Sequence, residues 1–374
     1  SARRYSFANN LFCYDKQFSF LKKGKPLEKD DEIKLEKKKF KKFRVRFHKL
    51  ENVLARFTPS VIVCTTPKSH YLLSKCMQKK GLNIPTYIVS SDYTLNKSFC
   101  NPFVNGYFVQ NDEVKQQLIS CDIVQEKIQI IGNAVMDATF NCLDKKEIRE
   151  KYGIDNTLPI ISMTAGRYGA CFIKKYFKIF SEYKEKFNLL VLTGNNKSFM
   201  KYIQKLSQEN TILHNIFAVD QIAKIGDVLS ITDALVTSPT SQVTYEAILR
   251  QIPTIVMHPL NNIEKRNFRY LVDKQLAFDG AKPQKALDLC IKLIEDADFY
   301  GASVDKLEDK LNPHATQSLC ESLAKVMRQQ EPIEQEPVKV EKAKPVEENG
   351  QNSVVGDVKI KKSRFAGLFN KNKK

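Results

Sequence analysis

Short apolar runs recur from about residue 50 onward, each bounded by polar or turn-forming positions. Val61–Cys64, Tyr87–Ser90, Tyr107–Val109, Ile128–Ile131, Ile160–Met163, Leu189–Leu192, Ala234–Val236 and Thr254–Met257 are of this kind. Their length and their β-branched and aromatic content predict strands. Charged segments of helical periodicity lie between most of them: Asp112–Ser120, Phe172–Lys186, Lys197–Gln208 and Tyr245–Leu249. Strand–helix–strand alternation means parallel sheets flanked by helices. The pattern therefore predicts an α/β protein of two units, joined near Asp137–Lys145. Residues 315–328 read as a closing helix. After Gln329 the composition shifts to Glu, Pro, Lys, Val and Gln, which predicts a disordered tail.

Residues 1–50 read as an irregular basic segment. Inside it Phe40, Phe43 and Phe47 recur at the spacing of one helix face, among the cations of Lys37–His48. The tail ends in a similar mixture, Lys359–Phe369. The net charge of +18 at pH 7 points to an anionic partner. Nucleic acid is excluded as that partner, because the charge is not coupled to any nucleic-acid-binding sequence pattern. An anionic membrane surface fits the cations mixed with Phe and Leu. No apolar run approaches the ~18 residues of a spanning helix, and no apolar stretch follows Ser1–Tyr5 as in a signal peptide. The nine Cys are scattered without a CxxC pair, as expected of reduced thiols in the cytoplasm.

In parallel α/β sheets ligands bind beyond the carboxyl ends of strands. Thr164-Ala165-Gly166-Arg167-Tyr168-Gly169 follows Ile160–Met163, and its small residues let backbone N–H groups approach a phosphate that Arg167 could clasp. Thr193-Gly194-Asn195-Asn196-Lys197 follows Leu189–Leu192. Thr237-Ser238-Pro239-Thr240-Ser241 follows Ala234–Val236 and opens a helix that carries Glu246. Ser238, Thr240 and Ser241 suit a phosphate, and Glu246 could accept two hydroxyls of a ribose. N-capping would explain the same hydroxyls. After Thr254–Met257, Glu264 and Asn267 share a face if helical. Together these loops predict a nucleotide-diphosphate site.

From about Val61 to Gly280 the chain resembles the monogalactosyldiacylglycerol synthase and processive diacylglycerol glucosyltransferase family, a branch of the GT-B glycosyltransferases. The resemblance rests on Pro59-Ser60-Val61-Ile62-Val63-Cys64-Thr65-Thr66-Pro67, Ser91-Asp92-Tyr93-Thr94, Ile131-Gly132-Asn133-Ala134-Val135, Gly194-Asn195-Asn196-Lys197, Glu246-Ala247 with Pro253, and Glu264 with Asn267. It implies two Rossmann-like domains facing a cleft, with the acceptor domain at 51–140 and the nucleotide-sugar domain at 141–328. The donor would be a UDP-sugar. The acceptor would be a membrane lipid, diacylglycerol, met peripherally at the cytoplasmic face of the membrane. Thr164, Gly166, Arg167, Gly194, Asn195, Ser238, Thr240, Ser241, Glu246, Glu264 and Asn267 would hold the donor, with no metal and no cofactor.

The chain also departs from the family. No Gly-rich loop bears a histidine; His48 and His70 have no glycine beside them, and only 14 Gly occur in all. Either the N-terminal domain is incomplete, or the protein is a degenerate GT-B member that binds a nucleotide, a lipid or a partner. If it is active, Asp92 is the remaining carboxylate for the catalytic base. Gln251 stands where the family ends a helix with Gly.

Overall fold

Each of the eight apolar runs forms a strand; those of the second sheet are buried throughout, while Gln129 and Ile130 in the first are exposed. The structure is a computed structural model and describes residues 50–135, 144–155, 157–164, 170–183, 185–193, 197–209, 215–219 and 225–329. These lie in one compact unit. The Lys37–His48 block, the join near Asp137 and the tail beyond Gln329 fall outside the described residues.

β1 (Ile62–Cys64), β2 (Thr86–Ser90), β3 (Gly106–Val109) and β4 (Ile128–Ile130) pair in parallel in that order. α1 (Pro67–Lys80) and α2 (Asp112–Ile119) connect them. Leu73, Cys76, Ile88, Tyr107, Val109 and Leu118 form the core of this half. α1 is a helix the periodicity did not predict. Its start is written in capping chemistry: Pro67 in the first turn and Thr66 exchanging hydrogen bonds with Ser69.

The second half begins with α3 (Lys145–Lys151) and then alternates. β5 (Ile160–Thr164) leads to α4 (Ala170–Phe180), β6 (Asn188–Leu192) to α5 (Lys197–Glu209), and β7 (Ile216–Val219) to α6 (Ile225–Ser230). β8 (Ala234–Thr237) leads to α7 (Ser241–Leu249), β9 (Thr254–Met257) to α8 (Asn262–Asp273), and β10 (Phe278–Gly280) to α9 (Pro283–Glu295) and α10 (Ala297–Asp305). The strands pair in parallel in the order β10-β9-β8-β5-β6-β7. The order reverses between β5 and β8, the doubly wound arrangement that opens a crevice at that point. β7 and β10 were not predicted. They are the two edge strands, and Phe-Asp-Gly lacks the apolar run that marks the central ones. α4 stops at Phe180, short of the predicted Lys186, and a 3-10 turn, Ser181–Tyr183, follows.

α11 (Ala315–Arg328), the predicted closing helix, returns to the first half. Thr316 Oγ1 accepts from the Val135 amide at 3.0 Å, and Ser322 Oγ is 3.1 Å from Gln129 Oε1. Gly132 has φ +90°, and a Cβ there would lie 2.5 Å from the Tyr245 hydroxyl of α7. Glycine is thus required where β4 runs into the second half.

Candidate functional site

At the β5–β8 reversal the carboxyl ends of both strands lie side by side, where doubly wound sheets bind their ligands. The Ser238 amide donates to the Thr164 carbonyl at 3.2 Å, which holds the two strand ends together. Ser238 is buried, and its hydroxyl has no hydrogen-bond partner among the described residues. Thr240 occupies the N-cap of α7, but its side chain caps nothing. The N-capping explanation for this hydroxyl therefore fails. Ser241 opens α7.

Two turns into α7, Glu246 is 2 % exposed. Its Oε1 accepts from Gln242 Nε2 at 2.6 Å, while Oε2 has no partner among the described residues. Burial pushes this carboxyl up, against the opposing pull of the Gln242 hydrogen bond and the Arg250 charge. A buried carboxylate oxygen without a donor is costly, and a ligand hydroxyl would relieve it.

α8 supplies the next wall. Asn261 Oδ1 accepts from the Glu264 amide at 2.9 Å, and Glu264 Oε1 accepts from Asn261 Nδ2 at the same distance. Glu264 Oε2 accepts from the Leu260 amide at 2.7 Å. Both oxygens of Glu264 thus serve the start of their own helix, and its part in the site is to shape the β9–α8 loop. Asn267 is different. Its Nδ2 donates to the Pro239 carbonyl at 3.3 Å, and its buried Oδ1 has no partner among the described residues. Glu264 and Asn267 are on one helix, as their spacing predicted.

Asp92 comes from the first half, just beyond the carboxyl end of β2. Its partly buried side chain meets the Asn267 amide and the Arg266 charge of α8. Burial raises its pKa, while Asn267 and Arg266 oppose the rise. Hydrogen bonds thus link Thr164 to Ser238, Ser238 to Thr240, the loop between them to Asn267, and Asn267 to Asp92, while Glu246 stands on the helix that this loop opens. Gly166, Arg167, Gly194 and Asn195 lie outside the described residues.

Sequence reasoning missed Gln242, Arg266 and Tyr93. Gln242 was findable, four residues before Glu246 on a predicted helix. Arg266 was not, because only the approach of the two halves gives it Asp92. His70 is excluded as a base by its surroundings. Its Nε2 lies 2.8 Å from the Ser98 carbonyl and its Nδ1 3.1 Å from Asn101 Nδ2. The ring is therefore a neutral donor and acceptor with both nitrogens engaged, and burial lowers its pKa. His48 lies outside the described residues.

Residues 11–135 match the family model described as monogalactosyldiacylglycerol (MGDG) synthase. The match begins well upstream of Pro59, where the motifs begin. A processive diacylglycerol beta-glucosyltransferase of Staphylococcus carnosus (strain TM300) is 24 % identical over 280 residues, covering 74 % of this chain and 70 % of the relative. Among solved structures, an S. aureus MnaA–UDP co-structure aligns with a TM-score of 0.59 at 15 % identity, over 81 % of this chain and 83 % of the other. Anabaena HepE in complex with UDP aligns with a TM-score of 0.52 at 14 % identity, over 75 % and 82 %. The resemblance read from the motifs holds, and the fold is GT-B-like.

Proposed function

We propose that this chain is a glycosyltransferase that moves a hexose from a UDP-sugar to a membrane lipid, with diacylglycerol as the acceptor. The observation that carries the reading is the crevice at the β5–β8 reversal. On the loop beyond β8 and on α7 and α8, Ser238 Oγ, Glu246 Oε2 and Asn267 Oδ1 are buried without partners among the described residues. Such a set suits a ligand with vicinal hydroxyls and phosphate oxygens. Glu246 takes ribose hydroxyls, and Ser238, Thr240 and the loops after β5 and β6 take the diphosphate. Asn267 faces the sugar. The named relative, which acts on diacylglycerol, supports the acceptor class, and the two UDP complexes support the donor class.

In the reaction the acceptor hydroxyl oxygen attacks the sugar C1 and the bond to UDP breaks. UDP leaves with the electron pair, and Asp92 takes the hydroxyl proton. A carboxylate raised by burial is a better base at neutral pH than an exposed one. The lipid is met at an anionic membrane surface by the basic aromatic segments, with the protein peripheral to the bilayer's cytoplasmic face. No helix among the described residues is long and apolar enough to cross a membrane.

The second reading, a degenerate member that binds without catalysis, draws on Glu264. The residue that the resemblance turns toward the sugar is engaged in its own helix cap. Labelled UDP-glucose, UDP-galactose and UDP-GlcNAc, each incubated with the protein and diacylglycerol vesicles, separate the two readings. Label in the lipid phase from one donor is the expected result. No transfer from any donor, with UDP still bound, leaves the second reading standing.

A further inference from the structure

Tyr93 belongs by sequence to the first half and by burial to the second. Its side chain is fully buried, in a core cluster with Tyr245, Ile248, Val256 and Leu271. Its hydroxyl lies 2.9 Å from Thr244 Oγ1 of α7, across 151 residues of chain. Its ring stacks on Tyr270 of α8, with centroids 5.2 Å apart. Its carbonyl accepts from Asn111 Nδ2 at 3.0 Å, and Asn111 Oδ1 caps α2 by accepting from Val114.

We propose that Tyr93 is a positioning residue, which locks the Asp92 loop into the second half and so fixes the acceptor-side carboxylate beside the donor crevice. This rests on the reading of Asp92 as the base. Consecutive residues 92 and 93 meet residues 267 and 270, three apart on one face of α8. Asn267, which receives Asp92, also holds the Pro239 carbonyl of the crevice loop. Thr244, which receives the Tyr93 hydroxyl, lies on α7 between Gln242 and Glu246. The loop cannot withdraw without opening the core around α7 and α8. Asp92 is therefore held to the donor site as well as to the half from which it emerges.

Hydrogen exchange and steady-state kinetics on the wild type, Tyr93→Phe and Tyr93→Ala test this. In the wild type, amides of residues 91–96 should exchange as slowly as those of α8. In Tyr93→Ala their protection should collapse while α8 and α11 keep theirs. Its kcat should fall by about 10²-fold, the scale of a misplaced catalytic group, with UDP affinity unchanged. Tyr93→Phe keeps the stacked ring and should recover most of both losses. It also covers the case in which Tyr93→Ala does not fold, since its loop should still exchange faster than in the wild type. Fast exchange of the wild-type loop, wild-type kcat in Tyr93→Ala, or a parallel loss of UDP affinity overturns the proposal. An inactive wild type overturns the transferase reading and with it the catalytic half of the proposal, while exchange alone still decides the anchoring half.

Discussion

At the scale of single residues, burial separates three side chains that look equally reactive in the sequence. Glu246 is buried with one oxygen unpaired, and its folded pKa is raised. A carboxyl with a raised folded pKa destabilises the fold wherever it is ionised. The penalty is absent below the unfolded value of about 4.3 and complete above the folded value. Glu246→Gln keeps an oxygen for Gln242 and should therefore raise Tm at neutral pH, with the gain vanishing as pH falls to about 4; thermal melts across that range check it. His70 has the opposite sign. Its folded pKa is lowered, so stability should fall as pH drops below about 6.5, the unfolded value. His70→Ala should remove that slope and cost about 2 kcal/mol by orphaning Ser98 and Asn101, while leaving kcat nearly intact. Asp92→Asn should do the reverse in an active enzyme. It should lower kcat by about 10²-fold with little change in UDP affinity, the scale of lost general-base help.

At the scale of elements, α7 and α8 end alike. The Ile252 amide donates to the Ala247 carbonyl and the Leu276 amide to the Leu271 carbonyl, each across a residue of positive φ. Those residues are Gln251 at 57° and Gln275 at 56°. Glycine is the usual occupant of this left-handed turn, because a Cβ is strained there. Gln251→Gly should stabilise the protein by about 0.5–1 kcal/mol, the left-handed strain less the added chain entropy, and denaturant titration measures it. The left-handed turn was foreseeable from the family's Gly at that position. Strands buried on both faces were legible because Leu189–Leu192 is wholly apolar and Ile160–Met163 carries a single polar residue, Ser162. The edge strand Phe278–Gly280 was not, since two of its three residues are Asp and Gly. The loops after β8 and β9 were legible from their place after strands, while those after β5 and β6 lie outside the described residues. The approach of Asp92 to Asn267, and the insertion of Tyr93 between α7 and α8, are long-range events with no periodic or local mark.

At the scale of the whole molecule, the two halves are tied by α11 and by the Asp92–Tyr93 loop. Basic aromatic segments outside the described residues supply the membrane contact in this account. Each Lys or Arg near an anionic surface contributes about 1 kcal/mol and is screened by salt. Co-sedimentation should therefore favour anionic over neutral vesicles and weaken with salt; equal binding to both, or to neither, would remove that contact. The account stands most directly on the donor crevice. Calorimetric titration of UDP into the wild type and Glu246→Ala tests it. The wild type should bind UDP, and Glu246→Ala should bind it more weakly by about 1–3 kcal/mol, the scale of leaving hydroxyl partners unpaired. No UDP binding by the wild type at millimolar concentration, or equal binding by both proteins, would contradict the account.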